Sequence, residues 1–471
     1  MTTKQGFATK TIGAFIAAAV AMSCVYASAQ TTKQPADPGV RGGSSGAGDP
    51  LPGLTADEKA FFRDGLNRFL EIDDVSGGDH NGLGPRFNSN TCFSCHSQPA
   101  AGGSSPAQNP SIAVATLKGA KNSVPWFIAA NGPVREARFK RNSNGTPDGG
   151  VHAIFVISGR SDAPGCNIAQ PDFSPAGNPL TGQGGNSNLS FRIPTPVFGG
   201  GLIEAIPDSA ILANAQAESS EKARMGIHGH ANAHISGSAN RNGNDGTITR
   251  FGWKAQNKSL LLFSAEAYNV EMGITNQLFP QERDETPGCV LNATPEDTLN
   301  FSPDSSSAAG VLSDIEGFAN FMRMLAPPTP APDTPSSANG RALFAKAGCV
   351  HCHTPSFTTG PKIASGSSTV PSAALSNQPV NLYSDLLVHG MGRRLADGIT
   401  QGGAGPEEFR TAPLWGVGQR VFFLHDGRTS DLLEAIEAHR GPGSEANRVV
   451  ERFNRLHAQE KQDILNFLRS L

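Results

Sequence analysis

The sequence repeats the pattern Cys-x-x-Cys-His at residues 92–96 and 349–353. For 7 cysteines and 12 histidines in 471 residues, chance would produce roughly 0.003 copies of this pattern. Two thiols at this spacing can bond covalently to one haem, and the adjoining imidazole can bind its iron. The pattern therefore predicts two covalently bound haem c groups. The predicted attachment residues are Cys92, Cys95, Cys349 and Cys352, and the predicted iron ligands are His96 and His353.

Other uses of the cysteines remain open at this point. Two Cys-x-x-Cys pairs can bind one zinc ion, but here the pairs lie far apart and zinc would leave the two adjoining histidines unused. A thioredoxin-like redox motif requires a βαβ context, which the sequence does not indicate. Outside the two motifs, Cys166 and Cys289 could form a disulfide in an oxidising compartment.

Chain length and composition constrain the fold class. A chain of 471 residues is too long for one core of ordinary size, so we expect two domains. Its 54 glycines and 34 prolines favour loops over long regular elements. We predict a mainly α fold with much irregular loop, made of two c-type cytochrome domains, the first with a large insertion. A net charge of -3 supplies no broad basic field and argues against nucleic acid as a partner.

Residues 1–29 have the pattern of a signal peptide for export. Lys4 and Lys10 precede an apolar run, and the small residues at 27–29 offer a cleavage site. Cys24 within this segment leaves a lipid anchor as the less favoured alternative. No later stretch is long and apolar enough to span a membrane. We therefore expect a periplasmic protein with no membrane span.

Composition also divides the rest of the chain. A Gly-, Ser- and Pro-rich stretch predicts a mobile leader, and a proline run that cannot continue a helix predicts a linker. A capping box at Thr55 starts a helix that leads toward the first motif. The predicted divisions are a flexible leader at 30–50, an N-terminal haem domain at 51–325 with its insertion at about 97–190, a linker at 326–337 and a C-terminal haem domain at 338–471.

Several segments resemble the di-haem oxidoreductase family, a branch of the bacterial di-haem cytochrome c peroxidase and MauG-like superfamily. The segments that carry the resemblance are 82–88, 200–207, 250–254, 271–275, 385–392 and 424–428. The resemblance implies mostly helical c-type haem domains, two haems of unequal role and often a calcium ion between them. The insertion departs from the peroxidases and leaves the substrate open.

The resemblance also points to a second ligand for the second haem iron. His439 follows His425 at the spacing where the family carries a distal ligand. Leu432, Ile436 and His439 recur at helical spacing on one apolar face, so we expect the imidazole to point inward. A core histidine bonded to the backbone is the alternative role, and Met391 is the alternative ligand.

For the first haem the sequence offers no comparable histidine, and Glu204 is the candidate catalytic residue. It lies between Ile203 and Ala205 in an apolar stretch, where a buried carboxylate needs a compensating partner. Burial would raise the pKa of Glu204 toward that of a group able to move the protons of hydrogen peroxide. The alternative is an ion pair with an arginine such as Arg192. We expect an open first haem with Glu204 as acid and base.

Three further features carry weaker expectations. The histidines at 228–234 suit a solvated loop better than a metal site. Trp253 is a candidate electron bridge between the haems, with core packing as the alternative. The resemblance assigns His425 and Asp426 to the support of the second haem.

These features predict an exported, peroxidase-like di-haem oxidoreductase with a catalytic first haem and a six-coordinate, electron-transfer second haem. The expected substrate is hydrogen peroxide or a small organic molecule. The expected partner is a small electron-donor protein, a cytochrome c or a cupredoxin. Two alternatives stay open: a di-haem electron carrier, and a haem oxidase or oxygenase that acts on a thiol or a polymer.

Overall fold

The computed structural model describes residues 34–471 with short gaps. The gaps are residues 77–80, 122, 143, 149–150, 153–154, 157–159, 174–187, 234–247, 284–285, 302–306 and 366–367. The described chain is helical with long irregular connections, which agrees with the mainly α fold class expected from the sequence. The helices are α1 (Ala56–Leu70), α2 (Cys92–Cys95), α3 (Ser111–Leu117), α4 (Gly200–Glu204), α5 (Asp208–Gln216), α6 (Ser219–Met225), α7 (Leu260–Met272), α8 (Asp314–Met324), α9 (Pro335–Ala347), α10 (Leu432–Ala438), α11 (Asn447–Asn454) and α12 (Ala458–Ser470). Short 3-10 helices span Ala309–Val311, Cys349–His351 and Val417–Gln419.

The strands are short and form small antiparallel sheets. They are β1 (Arg86–Phe87), β2 (Glu136–Phe139), β3 (Val151–His152), β4 (Phe155–Val156), β5 (Leu189–Arg192), β6 (Phe357–Thr358), β7 (Ile363–Ser365), β8 (Ser368–Val370), β9 (Pro379–Val380), β10 (Val388–Gly390) and β11 (Glu408–Arg410). The pairs are β1 with β4, β6 with β9, β7 with β8, and β10 with β11. Strand β2 lies between β3 and β5, and there Glu136 is opposite Arg192.

Helix α1 begins at the predicted capping box. The Thr55 side chain accepts a hydrogen bond from the Glu58 N–H, and the Glu58 carboxylate accepts one from the Thr55 N–H. The buried face of α1 carries Phe62 and Phe69, whose rings lie 5.4 and 4.9 Å from the ring of Phe321 on α8. These aromatic contacts hold α1 and α8 together beside the first Cys-x-x-Cys-His segment.

The C-terminal part is built on a second helix pair, α9 and α12. Helix α9 begins at Pro335, inside the segment predicted as a linker, because proline is favoured at the first position of a helix. The two helices approach so closely that a Cβ on Gly340 would lie 1.9 Å from the carbonyl oxygen of Asp463. The rings of Phe344 and Phe467 pack 5.5 Å apart. The second Cys-x-x-Cys-His segment follows α9 directly, so this helix pair positions it.

Residues 34–50, predicted as part of a flexible leader, lie against the C-terminal helices. The Asp37 carboxylate accepts hydrogen bonds from Nε and Nη2 of Arg469 at 2.7 and 2.6 Å, and one from the Leu432 N–H at 2.7 Å. Both charged side chains are buried. The anchor is a tertiary ion pair with a residue at the far end of the chain, which the local composition does not reveal.

Three further features complete the fold. Cys166 and Cys289, which are 123 residues apart in the sequence, form a disulfide. Residues 34–471 make one compact unit. Within the described ranges, none of the helices has the length and apolar character needed to cross a membrane.

Candidate functional site

The first Cys-x-x-Cys-His segment lies in the wall of a large cavity. Cys92 and Cys95 are the two ends of α2, and His96 follows as its C-terminal cap. The three side chains line a space of about 1180 Å³. The two thiols form no disulfide.

The His96 imidazole is oriented by the backbone. Its Nδ1 lies 2.9 Å from the carbonyl oxygen of Gly103. Because a carbonyl oxygen only accepts, Nδ1 donates the proton and Nε2 keeps its lone pair. The ring of Phe69 contacts the imidazole edge-on, with centroids 6.1 Å apart. A metal-binding histidine is usually held in this way, through its second ring nitrogen.

The second motif has the same local arrangement. Cys349, Cys352 and His353 line a cavity of about 1400 Å³, and these two thiols also form no disulfide. His353 Nδ1 lies 3.0 Å from the carbonyl oxygen of Tyr383 and therefore donates to it. Nε2 of His353 is again the free ring nitrogen.

His439, the predicted second ligand, lines the same cavity as His353. It caps the C-terminal end of α10, and its Nδ1 donates to the Ala435 carbonyl oxygen at 2.7 Å. Burial lowers the pKa of His439, and it lowers the pKa of His353 to about 4, so both imidazoles are neutral near pH 7. Neutral imidazole is the form that binds a metal. The structure brings the two rings to one cavity, and axial ligation by His439 stays a prediction.

Two buried arginines, Arg410 and Arg420, line the second cavity and a smaller space beside it. Nε and Nη2 of Arg420 have no hydrogen-bond partner in the described chain, and burial lowers the pKa of its guanidinium to about 10. Burying a cation without a counter-charge costs free energy, so an anionic group bound at this site would be stabilising. Haem propionates are such groups. The thiol and imidazole donors and the unpartnered guanidinium together fit haem.

A pair of carboxyl groups lies in the first cavity. Glu136 on β2 and Glu271 on α7 are hydrogen-bonded to each other and line the cavity with His96. Burial, and then the charge of Glu136, raise the pKa of Glu271 well above its usual range. Burial opposes ionisation of Glu136 too, but Arg138 at 2.5 Å outweighs it and lowers the pKa of Glu136. Glu271 therefore holds the shared proton, and Asn88 donates to its carboxyl at 2.5 Å.

The profile of one protein family, described as "Di-haem oxidoreductase, putative peroxidase", matches residues 183–471, which is more than half of the chain. The chain belongs to the di-haem oxidoreductase family. Membership implies haem as the cofactor. The matched part includes the second motif and His439, whereas the first motif precedes it. No curated protein matched the sequence.

Solved structures match parts of this di-haem oxidoreductase at low identity. A MauG-like protein associated with microbial copper homeostasis is 21% identical over 35% of this chain and 55% of its own, with a TM-score of 0.23. Hydrazine synthase of Kuenenia stuttgartiensis is 20% identical over 39% of this chain and 59% of its own, with a TM-score of 0.22. The diheme peroxidase BthA from Burkholderia thailandensis E264 is 15% identical over 47% of this chain and 65% of its own, with a TM-score of 0.27. The chain thus spans less than two thirds of the length of each.

Glu204 is not among the described residues that line the first cavity of this di-haem oxidoreductase. Its carboxylate accepts hydrogen bonds from Nε of Arg323 at 2.7 Å and from the Leu260 N–H at 2.8 Å. An arginine does compensate the carboxylate, as the alternative reading of the sequence required, but the arginine comes from α8, 119 residues away. Arg192, suggested as that partner, pairs with Asp397 at 2.7 Å instead.

Trp253 lies where the two cavities meet. It lines both of them, and its indole N–H donates to the carbonyl oxygen of Ile193 at 2.8 Å. Its ring stands edge-on to His425 with centroids 6.4 Å apart, and His425 stacks on Phe409 at 4.2 Å. Burial lowers the pKa of His425 to about 4, so this ring is neutral. The predicted bridge residue is therefore next to both cavities.

Other predicted residues of the second site lie beside its cavity. Met391 lines it. The Asp426 carboxylate accepts from Arg428 Nη2 at 2.6 Å, which ties down the loop that carries His425. This contact suits the supporting role expected for Asp426.

The predicted histidine cluster does not form a metal site in the described residues. His228 and His230 are exposed, and His230 lies 3.1 Å from Glu408. His234 is outside the described residues. The one group with metal-like spacing in the described ranges includes a predicted haem-attachment residue, and its members are Cys352, Asp385 and His389.

Proposed function

We propose that this di-haem oxidoreductase reduces hydrogen peroxide at its first haem and receives electrons through its second. One observation carries the proposal: the hydrogen-bonded carboxyl pair of Glu136 and Glu271 lines the cavity that has a single imidazole among its described lining residues. Four imidazoles line the second cavity, and two of them, His353 and His439, are the predicted iron ligands. Of the other two, His389 is held between Asp385 and Glu445, and His425 stacks on Phe409. An iron with one axial protein ligand can bind a substrate, whereas an iron with two is suited to electron transfer.

The bound haem supplies the bond-breaking and electron-accepting chemistry. Each peroxide molecule consumes two electrons and two protons and leaves as two waters. The ionised carboxylate of Glu136 accepts the proton of the incoming peroxide, and the protonated carboxyl of Glu271 donates its proton to the departing hydroxide, which leaves as the first water. The remaining oxygen leaves as the second water with the proton held by Glu136 and one proton from solvent, and a second solvent proton restores Glu271. Asn88 orients the Glu271 carboxyl, and Arg138 keeps Glu136 ionised. The pair thus combines a base and an acid in one hydrogen-bonded unit.

In this proposal a small donor protein, a cytochrome c or a cupredoxin, reduces the second haem one electron at a time. His353 and His439 would hold the second iron. The route to the first site passes Trp253, which lines both cavities. The electron balance closes because two donor molecules supply the two electrons that one peroxide consumes.

Covalent attachment and export belong to the same proposal. Both Cys-x-x-Cys pairs have free thiols in their cavities, which supports thioether bonds to two haem c groups. Haem c attachment and a disulfide both suit a periplasmic protein, and residues 1–29 have the pattern of a signal peptide. A calcium ion between the haems, which the resemblance implies, is part of the proposal without assigned ligands.

Spectroscopy of the purified, oxidised protein tests the two ligand sets. We expect one high-spin ferric haem that responds to cyanide and peroxide, and one low-spin haem that does not. If both haems are low-spin, the test is repeated on half-reduced protein, because reduction of one haem can open the other. Two unresponsive low-spin haems in both states would identify an electron carrier and overturn the proposal.

Two matched variants test the carboxyl assignment. Glu271→Gln keeps the shape of the side chain but removes its acidic proton, so we expect both haems to bind and peroxide reduction to slow by about 10²–10⁴-fold. Glu204→Gln is the control, because Glu204 pairs with Arg323 outside the cavity. We expect its rate to stay within about threefold of the wild type. A slow Glu204→Gln variant beside a normal Glu271→Gln variant would instead assign the acid and base role to Glu204.

A further inference from the structure

Four exposed arginines surround the loop that follows His439. None of them forms an ion pair with any residue that the structure describes. Two carboxylates lie near their loop: that of Glu445 is paired with His389 at 2.8 Å, and that of Glu407 lies 3.5 Å from the position of a Cβ on Gly443. We call this group the arginine patch. Its members are Arg393, Arg394, Arg440 and Arg448.

The backbone brings the arginine patch together. The Arg393 N–H donates to the Pro442 carbonyl oxygen at 3.2 Å. The Arg394 side chain covers Gly441, where an added Cβ would lie 3.0 Å from its Cδ. Asn447, the residue before the last of the four, exchanges hydrogen bonds of 3.0 and 2.9 Å with Gly441. Three chain segments thus present their arginines around one turn.

The chain segments that carry the arginine patch also form one wall of the second cavity. Val449, Val450 and Phe453 on α11 line the cavity, and so does His439. Arg440 directly follows His439 in the sequence. A partner bound at the patch would therefore be one residue away from the predicted iron ligand.

Neighbouring arginines on the same face are paired, which sets the patch apart. Arg452 lies 3.3 Å from Glu221, and Arg455 lies 3.2 Å from Glu451. The chain as a whole carries a net charge of -3, so four unpaired cations on one turn are a local excess. Such an excess attracts and orients an acidic partner at close range.

We propose that the arginine patch is the docking surface of a small, acidic, one-electron donor protein that reduces the second haem. The proposal rests on the proposed function in one respect, namely that electrons reach the protein through the second haem. Each encounter moves one electron from the reduced donor to the ferric haem, and no covalent bond forms or breaks. The carboxylates of the donor pair with the arginines and set its orientation against the wall of the cavity.

The test is stopped-flow reduction of the oxidised holoprotein by a reduced plant-type [2Fe–2S] ferredoxin, an acidic donor with a potential of about -400 mV. The test variant is Arg393→Glu/Arg448→Glu, which leaves Arg440 beside the predicted ligand untouched. The control variant is Lys59→Glu/Arg63→Glu on α1, which makes the same change of net charge as the test variant. Helix α1 contributes Phe69 to the first cavity and not to the second.

For the wild type we expect the bimolecular rate to fall as salt rises, because exposed charges are screened within ~3 Å at 1 M salt. At low salt the test variant should react at least about tenfold more slowly than the control variant, and the two should converge at high salt. Equal rates for the two variants, or a wild-type rate that rises with salt, would overturn the docking surface.

The readout separates this proposal from the proposed function. Reduction of the haems by ferredoxin is measured without peroxide. A protein that fails to reduce peroxide therefore still gives a result on the salt-dependent docking. Peroxide reduction driven by a small neutral reductant is measured in parallel. Normal peroxide reduction with equal ferredoxin rates in both variants would overturn the docking surface and leave the proposed function standing.

Discussion

Nδ1 of His439 donates a hydrogen bond of 2.7 Å to the carbonyl oxygen of Ala435, one helical turn earlier on α10. The last carbonyls of a helix have no partner within the helix, so this bond also caps α10. The same contact fixes which ring nitrogen is free. A single hydrogen bond therefore ends the helix and leaves Nε2 of His439 available in the second cavity.

Replacing His439 by alanine should open the second iron. We expect His439→Ala to bind both haems and to convert the second from low-spin to high-spin, with cyanide binding gained and free imidazole restoring the low-spin spectrum. His351→Ala is the matched control, because His351 lies inside the second motif next to Glu218 and is not among the lining residues of the cavity. An unchanged low-spin spectrum in His439→Ala would assign the ligand to another residue, with Met391 the first to test.

Arg420 should raise the reduction potential of a haem bound in the second cavity, which it lines. Its unpartnered guanidinium stabilises the reduced haem, which carries one positive charge less than the oxidised haem. We expect Arg420→Gln to lower one haem potential by about 60 mV for every ~1.4 kcal/mol of interaction lost. Spectroelectrochemical titration measures the shift, with Arg452→Gln on the surface as the control. Unchanged potentials would mean that the guanidinium does not face a propionate.

Sequence reasoning applies best where chemistry or local geometry fixes the spacing of residues. The pattern Cys-x-x-Cys-His occupies five residues whatever the fold around it, so both motifs are recognisable from the sequence, and the structure places each of them in the wall of a cavity. His439 was predicted as a ligand through its spacing from His425 in the family resemblance. Helical periodicity with Leu432 and Ile436, a local property, predicted that its imidazole points inward, and the ring does line the second cavity. The capping box of Thr55 and Glu58 predicted the start of α1 correctly for the same reason.

Sequence reasoning missed the carboxyl pair because its members meet only in the tertiary structure. Glu136 is on β2 and Glu271 is on α7, and no local pattern relates the two. One signal was available: Glu136 and Arg138 are two residues apart on a strand, so they share a face and form a charged pair. The apolar surroundings of Glu204 indicated correctly that its carboxylate needs a partner, but they could not identify Arg323 on α8.

The buried pair of Asp37 and Arg469 should make stability depend on an N-terminal segment. Asp37→Asn leaves the Arg469 cation without its counter-charge, so we expect a loss of about 3–5 kcal/mol in the free energy of unfolding. Asp333→Asn is the control, because the pair of Asp333 with Arg341 is exposed and should contribute nothing measurable. Thermal unfolding of the holoprotein at pH 7 compares the two variants.

The pH dependence of this contribution has a definite sign. Burial would raise the pKa of Asp37, but hydrogen bonds from Arg469 and from the N–H groups of Leu432 and Gly39 outweigh burial and lower it. The contribution is therefore complete above the unfolded pKa of about 3.9 and is lost as the pH falls through the lower folded pKa. The difference between wild type and Asp37→Asn should shrink as the pH falls through this window, and a difference that grows there would contradict the assignment.

Trp253 should control electron transfer between the two sites. Its indole lines both cavities, and its hydrogen bond to Ile193 fixes the ring. We expect Trp253→Phe to retain both haems and their spectra but to slow electron exchange between them by about tenfold or more, which is ~1.4 kcal/mol on the barrier. The measurement is the relaxation of the half-reduced protein after rapid reduction of the second haem.

The control for Trp253 is Trp415→Phe. Both tryptophans are 8% exposed, but Trp415 lines only the smaller space beside the cavities and not the cavities themselves. A packing role predicts similar losses of stability for the two variants and no difference in electron exchange. A bridging role predicts slow exchange for Trp253→Phe alone, because of the two tryptophans only Trp253 lines both cavities.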